Sequence, residues 1–82
     1  MANERLRYIS DALARLPQEQ RLVLVLFDIQ GFSYQEISEV TQSSLGTVKS
    51  RLSRAREKFR DLILEAPELF PEFPRLNLQG RQ

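Results

Sequence analysis

The stretch Leu45-Gly46-Thr47-Val48-Lys49-Ser50-Arg51-Leu52-Ser53-Arg54-Ala55-Arg56-Glu57-Lys58-Phe59 interleaves two patterns, an apolar repeat and a run of bases. Leu45, Val48, Leu52, Ala55, Phe59 and Leu62 are spaced three, four, three, four and three, which makes one stripe along an α-helix. Every basic residue lies off that stripe. Half of the chain's twelve Lys and Arg residues fall between Lys49 and Arg60, and Glu57 is the one acid between Glu39 and Asp61. A solvated helix face would mix acids with these bases, so the pattern points to a helix that faces a polyanion.

The rest of the chain is close to neutral. Residues 1–42 carry four bases and six acids, residues 61–82 carry two and four, and residues 43–60 carry six and one. A local charge of +5 in a chain of net charge +1 argues for a docking face and against general stickiness. Eighty-two residues are enough for one small domain with a modest core. The absence of Cys and His removes disulfides, thiolate chemistry, most zinc sites and the usual general base, so neither catalysis nor a cofactor is expected. No apolar run approaches the roughly 20 residues that span a bilayer, and no signal-peptide pattern opens the chain. A cytoplasmic protein without a membrane partner is expected.

Outward from the basic run, Leu6, Ile9, Leu13 and Leu16 predict a first helix over about Asn3 to Arg15, ended by Pro17. A second helix is expected from Gln18 to Gln30 without a break, with Gly31 closing it. Leu22, Val25, Leu26 and Ile29 make one apolar face of that helix, while Val23, Leu24 and Phe27 cover others. It should be central, its excess apolar surface covered either by neighbouring helices or by a partner protein. Ser33 and Glu36 form a capping box, with Phe32 and Ile37 as a hydrophobic staple, so a third helix runs from Tyr34 to about Thr41 with Ile37 and Val40 inward. After a turn at Gln42, Ser43 and Ser44, either serine can cap a fourth helix that reaches Leu64 before Pro67. The expected fold is all-α, a four-helix domain over residues 1–65 that ends in a helix-turn-helix and lacks a winged element. Residues 66–82 hold three prolines in their first nine positions and cannot form regular structure. Leu69, Phe70, Phe73 and Leu76 leave two readings of this tail, flexible or docked on the domain's own groove or on a partner.

A recognition helix presents its N-terminal residues to bases, which nominates Lys49, Ser50, Ser53 and Arg54 for base edges. The Arg54 guanidinium can grip guanine O6 and N7 together, Lys49 can reach the same atoms singly, and the serines permit close approach. Arg51 and Arg56, at the edge of the apolar stripe, suit phosphate contacts, as do Ser44 and Thr47 beside the free N–H groups of the helix start. Gly46 costs about 1 kcal/mol relative to Ala in a helix. It reflects either a close approach to DNA or to the third helix, or simple tolerance in a first turn.

Three motifs in order, Leu16-Pro17 with Arg21, Gly31-Phe32-Ser33-Tyr34-Gln35-Glu36-Ile37, and Gly46 through Arg56, closely resemble region 4 of bacterial sigma factors. This is their C-terminal promoter-recognition domain, and the likeness is to the extracytoplasmic-function group in particular, over about residues 3 to 64. The resemblance implies that the fourth helix reads the minus 35 promoter element in the major groove, with base contacts at Lys49, Ser50, Ser53 and Arg54. It also implies docking to the flap tip of the RNA polymerase β subunit in an apolar groove away from DNA, for which Val23, Leu24 and Phe27 are the candidates. An anti-sigma factor is a plausible competitor for such a surface. Ser53 departs from the bulkier residue common at its position. The helical region that binds core polymerase and melts the minus 10 element is missing, which fits a fragment of a longer sigma factor or a free-standing domain.

Two rival readings stand beside this one. A LuxR-type DNA-binding domain has a similar central Thr-Val-Lys, but the Ser-Arg-Leu-Ser-Arg-Ala-Arg continuation and the Leu-Pro before the second helix favour sigma, and a monomer, over a dimer built on a final helix. An interaction module that mainly holds an anti-sigma factor would explain the apolar second helix and the aromatic tail.

Overall fold

Asn3 opens the first helix. Its side-chain oxygen accepts hydrogen bonds from the backbone N–H groups of Arg5 (2.9 Å) and Leu6 (3.2 Å), two of the donors a helix start leaves unpaired. In this computed structural model, which describes residues 3–72, α1 spans Glu4–Ala14, α2 Gln18–Leu24, α3 Tyr34–Thr41 and α4 Leu45–Leu64. The backbone continues beyond α2 as a π-helical turn, Val25–Ile29, so the expected second helix is unbroken but not regular. Gly31 closes it at φ 80°, and Phe32 N–H reaches the Leu26 carbonyl at 2.9 Å. Among the described residues there is no strand, and no helix is long and apolar enough to cross a membrane. The architecture is all-α with a helix-turn-helix.

The stripe of α4 organises the packing. Val48, Leu52 and Ala55 are buried in one cluster with Leu16, Val23, Leu24 and Ile37, so helix two and α3 close over its first half. Each Val or Leu enclosed in this way contributes roughly 1.5–3 kcal/mol. Arg21 fastens the joint between α1 and α2, its guanidinium donating to the carbonyls of Ala14 (3.1 Å) and Leu16 (3.4 Å). That is the physical content of the Leu16-Pro17…Arg21 motif.

The structure corrects the expected faces. Helix two turns Val23 (1 % exposed) and Leu24 (6 %) inward, whereas Leu22 and Ile29 of the apolar face Leu22, Val25, Leu26 and Ile29 are exposed. The widened turn inserts one extra residue, a slip of about 100° at the usual helical angle, so Ile29 no longer lies in the row that Leu22 begins. On α3, Ile37 is fully buried but Val40 is 61 % exposed, because Tyr34, Ile37, Ser38 and Thr41 form the inward face and Val40 falls about 110° from its centre. On α1 the buried face runs through Tyr8, Ile9, Ala12 and Leu13 and continues to Leu16 just past the helix, which leaves Leu6 exposed. Leu45 and Ile63 share one angular position on α4, about five turns apart. Ile63 is buried against Ala66 and Phe70 past the helix end, while Leu45 stays half exposed.

Beyond Glu65 the chain folds back. Leu69 and Phe70 N–H groups donate to the Ala66 carbonyl at 3.0 and 3.2 Å, a single turn that drives Phe70 to 1 % exposure in a cluster with Ile63 and Ala66. Tyr8 packs against the Phe70 ring, its hydroxyl donating to the Leu62 carbonyl at 2.7 Å, and the Arg5 guanidinium lies 4.9 Å from the Phe70 centroid. Arg5 also pairs with Glu72 at 2.8 Å. The backbone N–H of Glu72, then Arg5, holds that carboxyl below its usual range, so its folded form favours the charged state and this favour is lost as pH falls through the lowered pKa. The packed unit therefore extends past residue 65 to Phe70; Phe73 and Leu76 lie outside the described residues. Phe70→Ala is expected to lower the unfolding free energy by about 3 kcal/mol in urea denaturation, whereas a loose tail residue would change it by less than about 0.5 kcal/mol.

Candidate nucleic-acid interface

The turn between α3 and α4 is held from both sides. Gln42 ends α3 in the left-handed region at φ 55°, and Ser43 N–H reaches the Ser38 carbonyl at 3.0 Å. The Ser38 hydroxyl donates to the Ser43 carbonyl, and the Ser43 hydroxyl donates to the Thr41 carbonyl at 3.3 Å. From α4, Arg51 donates to Ser43 Oγ at 3.2 Å. At the other end of α3 both capping-box bonds are formed, Glu36 N–H to Ser33 Oγ at 3.0 Å and Ser33 N–H to Glu36 Oε1 at 2.8 Å. The angle between α3 and α4 is thus set by polar bonds as well as by Ile37 and Val48.

Ser44, not Ser43, caps α4, accepting from Thr47 N–H at 3.0 Å and donating its hydroxyl to Thr47 Oγ1 at 2.9 Å. Because Ser44 donates, the Thr47 hydroxyl keeps its own proton for another acceptor. Gly46 has open space around it: a Cβ there would meet only Ser44 Oγ, at 3.9 Å. Close packing against α3 does not explain this glycine.

Lys49, Ser50, Ser53 and Arg54 are all exposed on the first half of α4. The Lys49 ammonium stands 5.5 Å from the centroid of the Tyr34 ring, and among the described residues Arg54 joins no ion pair. Arg51 and Arg56 are placed differently from the expected phosphate contacts. Arg51 is partly buried between Ser43 and Glu19, whose carboxylate lies 3.5 Å away. Arg56 makes a two-pronged pair with Asp28, Nε to Oδ2 at 2.9 Å and Nη2 to Oδ1 at 2.5 Å, and lies 5.4 Å from the Phe27 centroid. The hydrogen bond that Arg56 donates to Asp28 raises the Arg56 pKa above its ordinary value. Asp28 and Glu19 are the functional neighbours that the sequence pattern left unmarked, since no local spacing links residue 28 to residue 56.

The opposite side of helix two also differs from expectation. Val23 and Leu24 are enclosed in the core and offer nothing to a partner; Phe27 is partly buried, stacked on Tyr34 at 4.7 Å and 8°. The exposed apolar residues here are Leu22 and Ile29; Leu22, with the partly buried Val25 and with Gln18 and Arg21, lines a shallow depression of about 290 Å³.

The profile of the family described as Sigma-70, region 4 matches residues 6–59. Three similar proteins are the ECF RNA polymerase sigma factor EcfG of Rhodopseudomonas palustris, SigE of Mycolicibacterium smegmatis and the sigma-E factor of Haemophilus influenzae. EcfG is 44 % identical over 63 % of this chain and 29 % of its own length. SigE is 48 % identical over 63 % of this chain and 20 % of its own length, and the sigma-E factor 33 % identical over 77 % and 33 %. The chain thus spans a third or less of these relatives. The residues 6–59 that match the family profile include both the bolted turn and the exposed basic half of α4. With those features in place, the chain belongs to the Sigma-70, region 4 family, in its extracytoplasmic-function group.

Proposed function

We propose that this domain reads the minus 35 element of a promoter, with α4 in the major groove and Lys49, Ser50, Ser53 and Arg54 facing base edges. The observation that carries the proposal is the sorting of charge on α4. The chain's own acids engage Arg51 and Arg56, while the first half of the outward face is left free to meet DNA. Ser44, Thr47 and the unpaired N–H groups of the first α4 turn serve phosphates. Arg51 and Arg56 act as struts that fix α4 against the turn and helix two.

The partner face proposed for the RNA polymerase β flap is Leu22 and Val25 with Gln18 and Arg21, a partly exposed surface beside the buried Val23 and Leu24. An anti-sigma factor that covered the same residues would compete with polymerase. The domain acts as a cytoplasmic monomer, without enzymatic chemistry, as one part of a sigma factor during transcription initiation.

Selection of bound DNA from a random library by the 82-residue chain is expected to return a defined motif; recovery of unrelated sequences would refute the reading. On the selected site Arg54→Ala should cost about 1–3 kcal/mol and relax preference at one base pair. Arg56→Ala should leave base preference and the salt dependence of binding unchanged, since loss of a phosphate contact would reduce the log–log salt slope by about 0.9. Its expected effect is on stability, at most about 1 kcal/mol for so exposed a pair. Gly46→Ala should stabilise the free chain by up to about 1 kcal/mol, because the site has room, and should weaken binding where the first turn of α4 meets DNA.

A further inference from the structure

Two rings from different elements lie against each other beside α4, and each has a cation of that helix on it. Phe27, in the widened turn of helix two, stacks on Tyr34, the first residue of α3, with centroids 4.7 Å apart and planes 8° from parallel. Arg56 lies 5.4 Å from the Phe27 centroid and Lys49 5.5 Å from the Tyr34 centroid. Both distances fall within the range at which a ring face attracts a cation. The rings are well anchored: Arg56 is locked to Asp28, and the Ser33–Glu36 capping box fixes the turn that carries Tyr34.

We infer that Tyr34 is a positioning residue that holds the Lys49 side chain in place for base contact through its ring face. Lysine has a flexible four-carbon stem and loses much rotamer freedom when its ammonium is ordered at a base edge. A ring that restrains the stem before DNA arrives removes part of that loss, and preorganisation of this kind strengthens binding without any new contact to DNA. Arg54, the other cationic candidate for base contact, has no such ring contact among the described residues. The inference rests on the promoter-reading proposal, since it concerns how one of the base-reading residues is aimed.

The chain contains two lysines, Lys49 and Lys58, so the second serves as an internal control. In the proton NMR spectrum of the DNA-free chain, the Lys49 ε-methylene should resonate upfield of that of Lys58 in the wild type and in Tyr34→Phe. The difference should collapse in Tyr34→Leu. On DNA, Lys49→Ala identifies the base pair that Lys49 reads. Tyr34→Leu should then reduce discrimination at that base pair about three-fold. Preferences elsewhere should be preserved, and Tyr34→Phe should retain wild-type discrimination. No upfield shift in the wild type, or a Tyr34→Leu loss spread evenly over all sequences, overturns this inference alone. A wild-type chain that binds every sequence alike overturns the promoter-reading proposal and this inference with it.

Discussion

The burial of Val48, Leu52 and Ala55 beneath helix two and α3 is the constraint on which the rest of the structure depends. A helix has a fixed angle per residue, so once these side chains are enclosed the outward direction of every other α4 residue is decided. Ser50, Ser53 and Arg54 must then face solvent, with Lys49 at one edge and Thr47 at the other. The same enclosure fixes α3, because Ile37 has no exposed surface and shares the cluster. What apolar burial leaves open, rotation about the turn, is closed by the Ser38, Ser43 and Arg51 hydrogen bonds. The second half of α4 outruns helix two and needs another cover, which α1 and the Phe70 turn supply around Ile63, with Phe59 packed against both clusters.

Six cations on one helical segment repel one another, and the fold answers by treating them unequally. Arg51 and Arg56, nearest the stripe, reach acids on helix two, Glu19 and Asp28, at opposite ends of that helix. Exposed ion pairs contribute little to stability, about 0–1 kcal/mol each, so their larger consequence is geometric. Two struts some distance apart resist rolling of α4 against helix two, and they withdraw two charges from the field. Of the four cations that remain, Lys49 and Arg54 stand exposed in the half of the helix that begins at the turn.

Elements with a strong local signature could be read from the sequence alone. The α4 stripe, the Ser33–Glu36 capping box, the Gly31 closure and the Pro67 stop are all matters of residue type at fixed spacing, and each is present at its place. The exposed quartet on α4 follows from the same stripe. What spacing could not supply is anything decided by a distant segment. Val40 and Leu6 look as apolar as their buried neighbours, and only the packing partner determines which side of α3 or α1 is covered. Ile63 and Leu45 are equivalent along the helix, yet the Phe70 turn buries one and not the other. The pairing of Arg56 with Asp28 depends on a π-helical turn that no residue pattern in Val25–Ile29 announces.

That turn also bears on how two separate surfaces fit on so small a domain. Lengthening helix two by one residue within a turn lets consecutive residues serve different neighbours, Phe27 the Tyr34 ring and Asp28 the Arg56 guanidinium. Both contacts are on the side of helix two that meets the helix-turn-helix. Before and at the start of that turn, Leu22 and Val25 lie beside Arg21, whose bonds run to Ala14 and Leu16 at the α1–α2 joint and not to α3 or α4. A partner seated on Leu22 and Val25 therefore meets helix two away from the buried Val23 and Leu24 that contact the α4 cluster. Lys49, Ser50, Ser53 and Arg54 stand on a different helix, so under the proposed function the two faces are separate surfaces of one domain.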